Sequence, residues 1–388
     1  MRIIVLGAGI AGLSLAHELH RRGLDDVTVL ERTRAFEHVG GGIHLGPWGM
    51  SVLESNGVAD AVREHGVPYS VRSYFDASGT PLGTVDLGAL VARYGGSLGV
   101  YCHRADLHAA LAEVVPQGLV QRGVQVTAIR EETGGIRLET ESHGTFDGDL
   151  LVGCDGLHSQ ARRHLLGVTE VPLAKRALRT VLPSPHAEVG VEIYRGIGST
   201  VGIGRIDRRA SLYVWTHTPA GSRSAVRPDR DPADELLELF ATYGAARMRE
   251  LAELVPDATV TATDLHEVIV PTPWRGRVAL AGDAAHAMSP SAGLGGTMAF
   301  EDAAVLAGEL ADVVRAREPL EVALDRYARR RLPRVEAVRA QARYTDYDGQ
   351  IASPDLCRVR DARFARLLAK PEAFASEVTG ALDLGAGP

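Results

Sequence analysis

An α/β fold with a β-meander, an inserted antiparallel sheet and C-terminal helices is predicted by three features of the sequence. Short apolar runs at 2–6, 150–152 and 278–281 each end in a glycine-containing turn that opens a helix, as parallel strands buried on both faces do. Residues 178–217 switch to alternating apolar and polar positions between glycine turns, the pattern of an antiparallel sheet. Beyond residue 300 the periodicity is helical.

Taken in order, the strand at 2–6 leads into Gly7-Ala8-Gly9-Ile10-Ala11-Gly12, a helix to about Arg22, and a strand at 27–30 that ends in Glu31, nineteen positions after Gly12. This Rossmann-like βαβ unit carries the dinucleotide fingerprint in its required context. Gly7 permits the tight turn, Gly9 the approach of a pyrophosphate and Gly12 close helix–strand packing, while Glu31 accepts from ribose hydroxyls. The motif does not choose between NAD and FAD. Gly40, Gly41 and Gly42 continue into Ile43 as a loop, followed by His44, Pro47 and a helix at 50–56. Residues 71–101 read as strands and loops. A helix at 105–115 opens at Arg104, whose guanidinium either reaches a phosphate or sits at the surface. Segments 124–131, 136–141 and 145–147 form the meander. The strand at 150–152 ends in Gly153-Cys154-Asp155-Gly156, with Ser159 and Arg162 starting a helix; Asp155 is a helix cap or a ligand contact. Strands at 189–194, 200–206 and 211–216, with turns at Gly196, Gly198 and 207–209, make the inserted sheet, a natural pocket wall. A polar loop at 219–232, an amphipathic helix at 233–243 and a strand at 265–273 return the chain toward Trp274. Helices follow to about 313, at 319–346 and at 355–370, and the tail from Ser376 frays.

The chain is organised around residues 276–302. There a strand feeds Gly282 and Asp283, then a loop with Pro290, Gly293, Gly295, Gly296 and Thr297, then a helix from Met298. Open N–H groups and the positive end of a helix face whatever lies in that loop. Asp283 either caps locally or accepts from ligand hydroxyls.

The length, 388 residues, allows two or three domains or subdomains. A formal charge of −7 argues against a nucleic-acid partner. Cys102, Cys154 and Cys357 are far apart and form no metal-ligand spacing, so no metal is expected and a reduced, cytoplasmic setting is. The apolar start is too short for a signal peptide and no apolar run reaches membrane length, so no membrane span is expected.

Three motifs in this order resemble the single-component FAD-dependent aromatic hydroxylases, the p-hydroxybenzoate and salicylate hydroxylase group. Gly7 to Gly12 with Glu31 matches the ADP-binding motif, Gly153 to Ser159 with Arg162 resembles the DG motif, and Gly282 to His286 with Pro290, Gly293 and Gly295 resembles the GD motif. The resemblance covers about residues 1–345 and implies noncovalent FAD. By it, Gly9, Ile10, Ala11 and Gly12 hold the pyrophosphate, Glu31 and Arg32 the ribose, Val126 the adenine, Arg104 the FAD backbone and Asp283 the ribityl chain. Asp155 and Gly42 join the cofactor set, and the 293–297 loop lies over the flavin pyrimidine edge. The resemblance also implies NAD(P)H as a transient co-substrate, O2, and hydroxylation or epoxidation of an aromatic or polycyclic compound through a flavin C4a-hydroperoxide. Thr297 stands where the group usually has Asn, and His44 lies where some relatives carry an NAD(P)H-binding Arg.

Substrate-side candidates are His44, Tyr213 and His217, with Arg195 as an anchor for an anionic group and Tyr194 and Trp215 as aromatic wall; no catalytic base is assigned. A flavin-dependent reductase of isoprenoids and a non-enzymic flavin-binding protein are the alternatives. The expected division is 1–70, 98–175 and 274–345 for the FAD domain, 71–97 and 176–273 for the substrate domain, and 346–388 for a helical segment and tail, in a monomer or homodimer.

Overall fold

The computed structural model describes residues 1–35, 41–167, 170–183, 190–208, 211–219 and 230–375. Gly40, Val189, Arg209, most of the 219–232 loop and the tail from Ser376 lie outside the described residues.

A six-stranded sheet runs in the order Trp274–Arg275, Val278–Leu280, Leu150–Gly153, Ile3–Leu6, Val27–Glu31, Val120–Arg122, parallel except for the first pair. Its central strands are apolar at every position because both faces are covered. Ile3 and Val5 point into a core with Leu13, Phe300 and Leu306 under the Ile10–Arg21 and Gly295–Ala316 helices. Ile4 and Leu6 point the other way, into a core with Ile136, Leu138 and Leu165 under the meander Val126–Glu132, Gly135–Thr140, Thr145–Gly148. The two-residue period of a strand thus divides one apolar run between two cores.

The second sheet has seven strands: Val260–Glu267, Val171–Pro183, Ser211–Pro219, Thr200–Arg205, Val191–Arg195, Val71–Asp76, Pro81–Asp86. It is antiparallel except where Val191–Arg195 runs parallel to Val71–Asp76. Leu178, Leu182, Val201, Ile203, Leu212 and Val214 face the Pro232–Ala241 and Ala246–Ala252 helices. The opposite face carries Val181, Ile193, Tyr213 and Trp215 and meets Tyr69 and Tyr101 of a small sheet, Gly42–Leu45, Gly99–His103, Val67–Tyr69. The Leu320–Gly349 and Pro354–Leu368 helices close the chain. No helix among the described residues is long and apolar enough to cross a membrane.

Three local expectations are corrected. Gly42 and Ile43 lie in a strand, not a loop, paired with His103 and Cys102, partners some sixty residues away that no local pattern reveals. Residues 71–101 include a helix, Leu87–Tyr94, whose signals were Asp86 accepting from the Ala89 N–H at 2.8 Å and Gly95 at φ 83° closing it. The returning strand is Val260–Glu267, not 265–273. Val268 leaves the sheet, donating to Ala287 at 2.8 Å, and Val268 and Val270 are apolar because they fill the core beneath the meander.

Candidate functional site

The three glycine motifs meet at the carboxyl ends of adjacent parallel strands, where open α/β sheets bind ligands. Cys154 N–H donates to Leu6 O at 2.8 Å and Ala281 N–H to Gly153 O at 3.0 Å, so the ends of the strands stay in step. Gly7, at φ 102°, sits where a Cβ would lie 2.6 Å from Cys154 O, and a Cβ on Gly12 would lie 1.8 Å from Gly7 O. A Cβ on Gly282 would lie 2.7 Å from that of Ala11, which locks the third motif onto the first. Buried Arg162 donates to Ala284 O at 3.0 Å and to Leu157 O at 2.6 Å, joining the second motif to the third.

A Cβ on Gly9 or Gly295, by contrast, would meet nothing within 4 Å. The helices that start there lack side-chain caps, and their first backbone bonds are Leu13 N–H to Gly9 O (3.0 Å) and Met298 N–H to Leu294 O (2.9 Å). The N–H groups before them face the same rim. Thr297 Oγ1 is buried without a hydrogen-bond partner, turned toward Gly49, where a Cβ would lie 2.5 Å from it. Asp283 is exposed in the first turn of Asp283–His286, and Arg32 and Arg104 are exposed. Glu31 is buried, accepting from Ala8 N–H and Thr33 N–H, both at 2.8 Å, and a carboxylate retains lone pairs beyond these. Val126 is buried at the start of the meander. Asp155 caps the next helix, accepting from Ser159 Oγ (2.5 Å) and Gln160 N–H (2.7 Å). Uncapped helix starts, open glycines and an exposed acid fit a dinucleotide with a polyhydroxyl chain.

The sequence reading missed what supports this rim. Asp302, fully buried, accepts from Gly282 N–H (2.8 Å) and Arg331 Nε (2.7 Å) and is hydrogen-bonded to His286 Nε2 (2.5 Å). Burial by itself would raise its carboxyl; the charges of His286 and Arg331 outweigh that and hold it down to about 2. Glu301 pairs with Arg331 and Arg334 and accepts from Trp48 Nε1 at 2.5 Å. The available signal was spacing: Glu301 and Asp302 follow the loop on a helix whose face is otherwise apolar.

On the seven-stranded sheet, Tyr213, Trp215 and His217 alternate onto the face toward the 290–296 loop. Gly202, opposite Trp215, makes room for the indole: its Cβ would lie 2.0 Å from the ring. The Tyr213 ring occupies the space beside Gly41 and Gly42. Its phenol is pushed up by burial, countered by the nearby Arg179 charge. His44 is hydrogen-bonded through Nε2 to Tyr69 Oη at 2.5 Å, and its ring abuts Gly293. Burial, then the Arg72 charge, lower its pKa to about 3. His217 Nδ1 is 2.9 Å from Ser291 Oγ, so both histidines flank the loop. Two candidates are placed elsewhere. Tyr194 points to the other face and stacks on Phe75 at 4.8 Å. Arg195 is held by Asp348 and by Asp361 (3.1 Å), over the Phe364 ring. Pro290 lies in the single turn Pro290–Ala292, and Gly296 packs near Ile43.

The family model described as "FAD binding domain" matches residues 1–342. The chain is 31% identical to 3-amino-4-hydroxybenzoate 2-monooxygenase of Streptomyces cremeus, covering 94% of this chain and 91% of that protein. It is 30% identical to 6-hydroxynicotinate 3-monooxygenase of Pseudomonas fluorescens, covering 83% and 86%. The crystal structure of Klebsiella pneumoniae HpxO with FAD and uric acid superposes with a TM-score of 0.84 at 26% identity over 98% of both chains. The chain therefore belongs to the FAD binding domain family, among the FAD-dependent aromatic hydroxylases.

Proposed function

We propose that this chain is a single-component monooxygenase that binds FAD noncovalently, takes electrons from NAD(P)H, and uses O2 to hydroxylate an aromatic or polycyclic small molecule. The observation that carries this reading is the convergence of three motifs on one rim whose open helix starts face an aromatic seam. The substrates in the relatives' names, aminohydroxybenzoate and hydroxynicotinate, favour a ring that bears a hydroxyl or ring nitrogen. In this reading Gly9, Ile10, Ala11 and Gly12 hold the pyrophosphate, Glu31, Arg32, Arg104 and Val126 the adenosine side, and Asp283 the ribityl hydroxyls. Gly295, Gly296 and Thr297 face the flavin ring. When bound, the flavin supplies the redox and oxygen-activating chemistry. The helix start at Gly295 favours negative charge at the adjacent ring edge. Tyr69, Tyr101, Tyr213 and Trp215 keep water from the seam and fix the substrate ring within reach.

The FAD domain comprises 1–70, 98–175 and 274–345, the substrate domain 71–97 and 176–273, and 346–388 a helical segment and tail; the seven-stranded sheet, built from 71–86 and 171–267, supports a substrate side of nearly that extent. NAD(P)H visits transiently, the setting is cytoplasmic, in keeping with three buried free cysteines, and the state is monomer or homodimer. The purified protein should be yellow, with one FAD per chain. In anaerobic stopped-flow, a hydroxybenzoate or hydroxypyridine carboxylate accepted as substrate should accelerate flavin reduction by NAD(P)H, and labelled O2 should place oxygen in the product. A colourless protein that FAD cannot reconstitute sinks the reading. Product formed fully without O2 replaces it with a reductase.

A further inference from the structure

Where the seven-stranded sheet meets the cofactor rim, five side chains from four separate segments form a polar array, with Lys175, Ser289 and Asp346 buried and Ser291 and His217 half-buried. Asp346, near the end of the Leu320–Gly349 helix, accepts from Ser289 Oγ at 3.0 Å and from Ser291 Oγ, and is ion-paired with Lys175. Only Lys175 and Lys370 are lysine among 42 basic residues, and Lys175 is buried. Ser291 has one hydrogen and three neighbours, the Asp346 carboxylate, His217 Nδ1 and Ser289 Oγ (3.1 Å); the carboxylate can only accept, so that hydrogen goes to Asp346. Toward His217 Nδ1, 2.9 Å away, Ser291 Oγ can therefore only accept, so the ring proton sits on Nδ1.

The charged groups facing His217 are Lys175 and Arg179 from the Val171–Pro183 strand and Asp346 from the long helix. Thr200, opposite it in the neighbouring strand, and Trp215, whose ring centroid is 5.2 Å away, are neutral. Burial first, then the two cations, lower the pKa of His217 to about 3, so the ring is neutral. A neutral imidazole with its proton on Nδ1 carries its lone pair on Nε2, and that atom has no hydrogen-bond partner among the described residues.

Resting on the monooxygenase reading, we infer that His217 Nε2 is a fixed hydrogen-bond acceptor for a ring hydroxyl or ring N–H of the substrate, and that Ser291 and Asp346 are positioning residues that set its tautomer. The contact selects donors. A substrate bearing O–H or N–H at that point satisfies Nε2. An O-methyl ether leaves the lone pair buried and unpaired and adds a methyl where the hydrogen should be.

The test uses FAD-loaded protein labelled with 15N-histidine, the His217 signals being assigned by their loss in His217→Gln. Between pH 8 and 5 the ring should stay neutral with the proton on Nδ1, and in Ser291→Ala, with flavin absorbance intact, it should become a tautomer mixture. The phenolic compound of the panel above that most stimulates NAD(P)H oxidation should shift the Nε2 signal, and its methyl ether should not. The wild-type kcat/KM should favour the phenol over the ether by about 100-fold, narrowing to within about 10-fold in Ser291→Ala. A ring that titrates near 6.5, a proton on Nε2, or unchanged discrimination in Ser291→Ala overturns the proposal. The expected tautomer in a protein that forms product fully without O2 would sink the monooxygenase reading and leave the tautomer assignment standing.

Discussion

Asp302→Asn tests the support beneath the rim where the three glycine motifs meet. The native carboxylate is fully buried and serves Gly282 N–H, His286 and Arg331 at once. Removing one charge of a buried pair costs ~3–5 kcal/mol, because the partner stays buried and uncompensated. Two features soften that here: Arg331 keeps Glu301, and the Asn oxygen can still accept from Gly282 N–H. We therefore expect a loss of about 2–4 kcal/mol. The pH dependence has a defined sign. The folded carboxyl is depressed to about 2, so its stabilisation is complete above its unfolded range and lost as pH falls from about 4 through about 2. Asp302→Asn should remove that contribution to the acid limb. The assay is urea unfolding followed by tryptophan and flavin fluorescence, with Trp48, bonded to Glu301, as a nearby reporter. Arg331→Met should be costly alone, and the double variant should cost less than the sum, since neither member of the Asp302–Arg331 pair is then buried without the other. A loss under about 1 kcal/mol, or additive single effects, would refute the reasoning.

Asp283→Ala should fold normally yet weaken FAD binding by about 1–3 kcal/mol in a titration; unchanged affinity returns Asp283 to helix capping. Gly9→Ala should fold and lose FAD affinity, because its Cβ enters open space at the rim. Gly12→Ala should fail to accumulate as folded protein, because its Cβ would lie 1.8 Å from Gly7 O. Equal behaviour of the pair, by circular dichroism and FAD titration, would contradict both assignments. His44 and His217 have folded pKa values of about 3, below the ordinary value, so the unfolded chain takes up protons first and stability should fall as pH drops from about 6.5 toward 3. The His44→Gln/His217→Gln double variant should flatten that slope, and an unchanged urea-midpoint profile counts against the neutral rings.

The meeting of the three glycine motifs was legible because each motif's geometry is local. GxGxxG, the DG turn and the GD turn each place glycines and an acid within one strand–turn–helix unit, and short-range sterics dictate where those residues go. The same holds for the apolar strands at Ile3–Leu6 and Val278–Leu280, whose lack of alternation already implies cover on both faces. The sequence could not say which way the sheet residues at 194–195 and 213–217 face, because a one-residue change of register turns a strand over. Only pairing sends Tyr194 to Phe75 and leaves Tyr213, Trp215 and His217 on the opposite face. Nor could it find the partners that decide electrostatics. Asp302 with Arg331, Arg195 with Asp361, and His217 with Ser291 are 29, 166 and 74 residues apart. A buried charge or a histidine tautomer is set by what packs against it, and that is decided only when the distant elements meet.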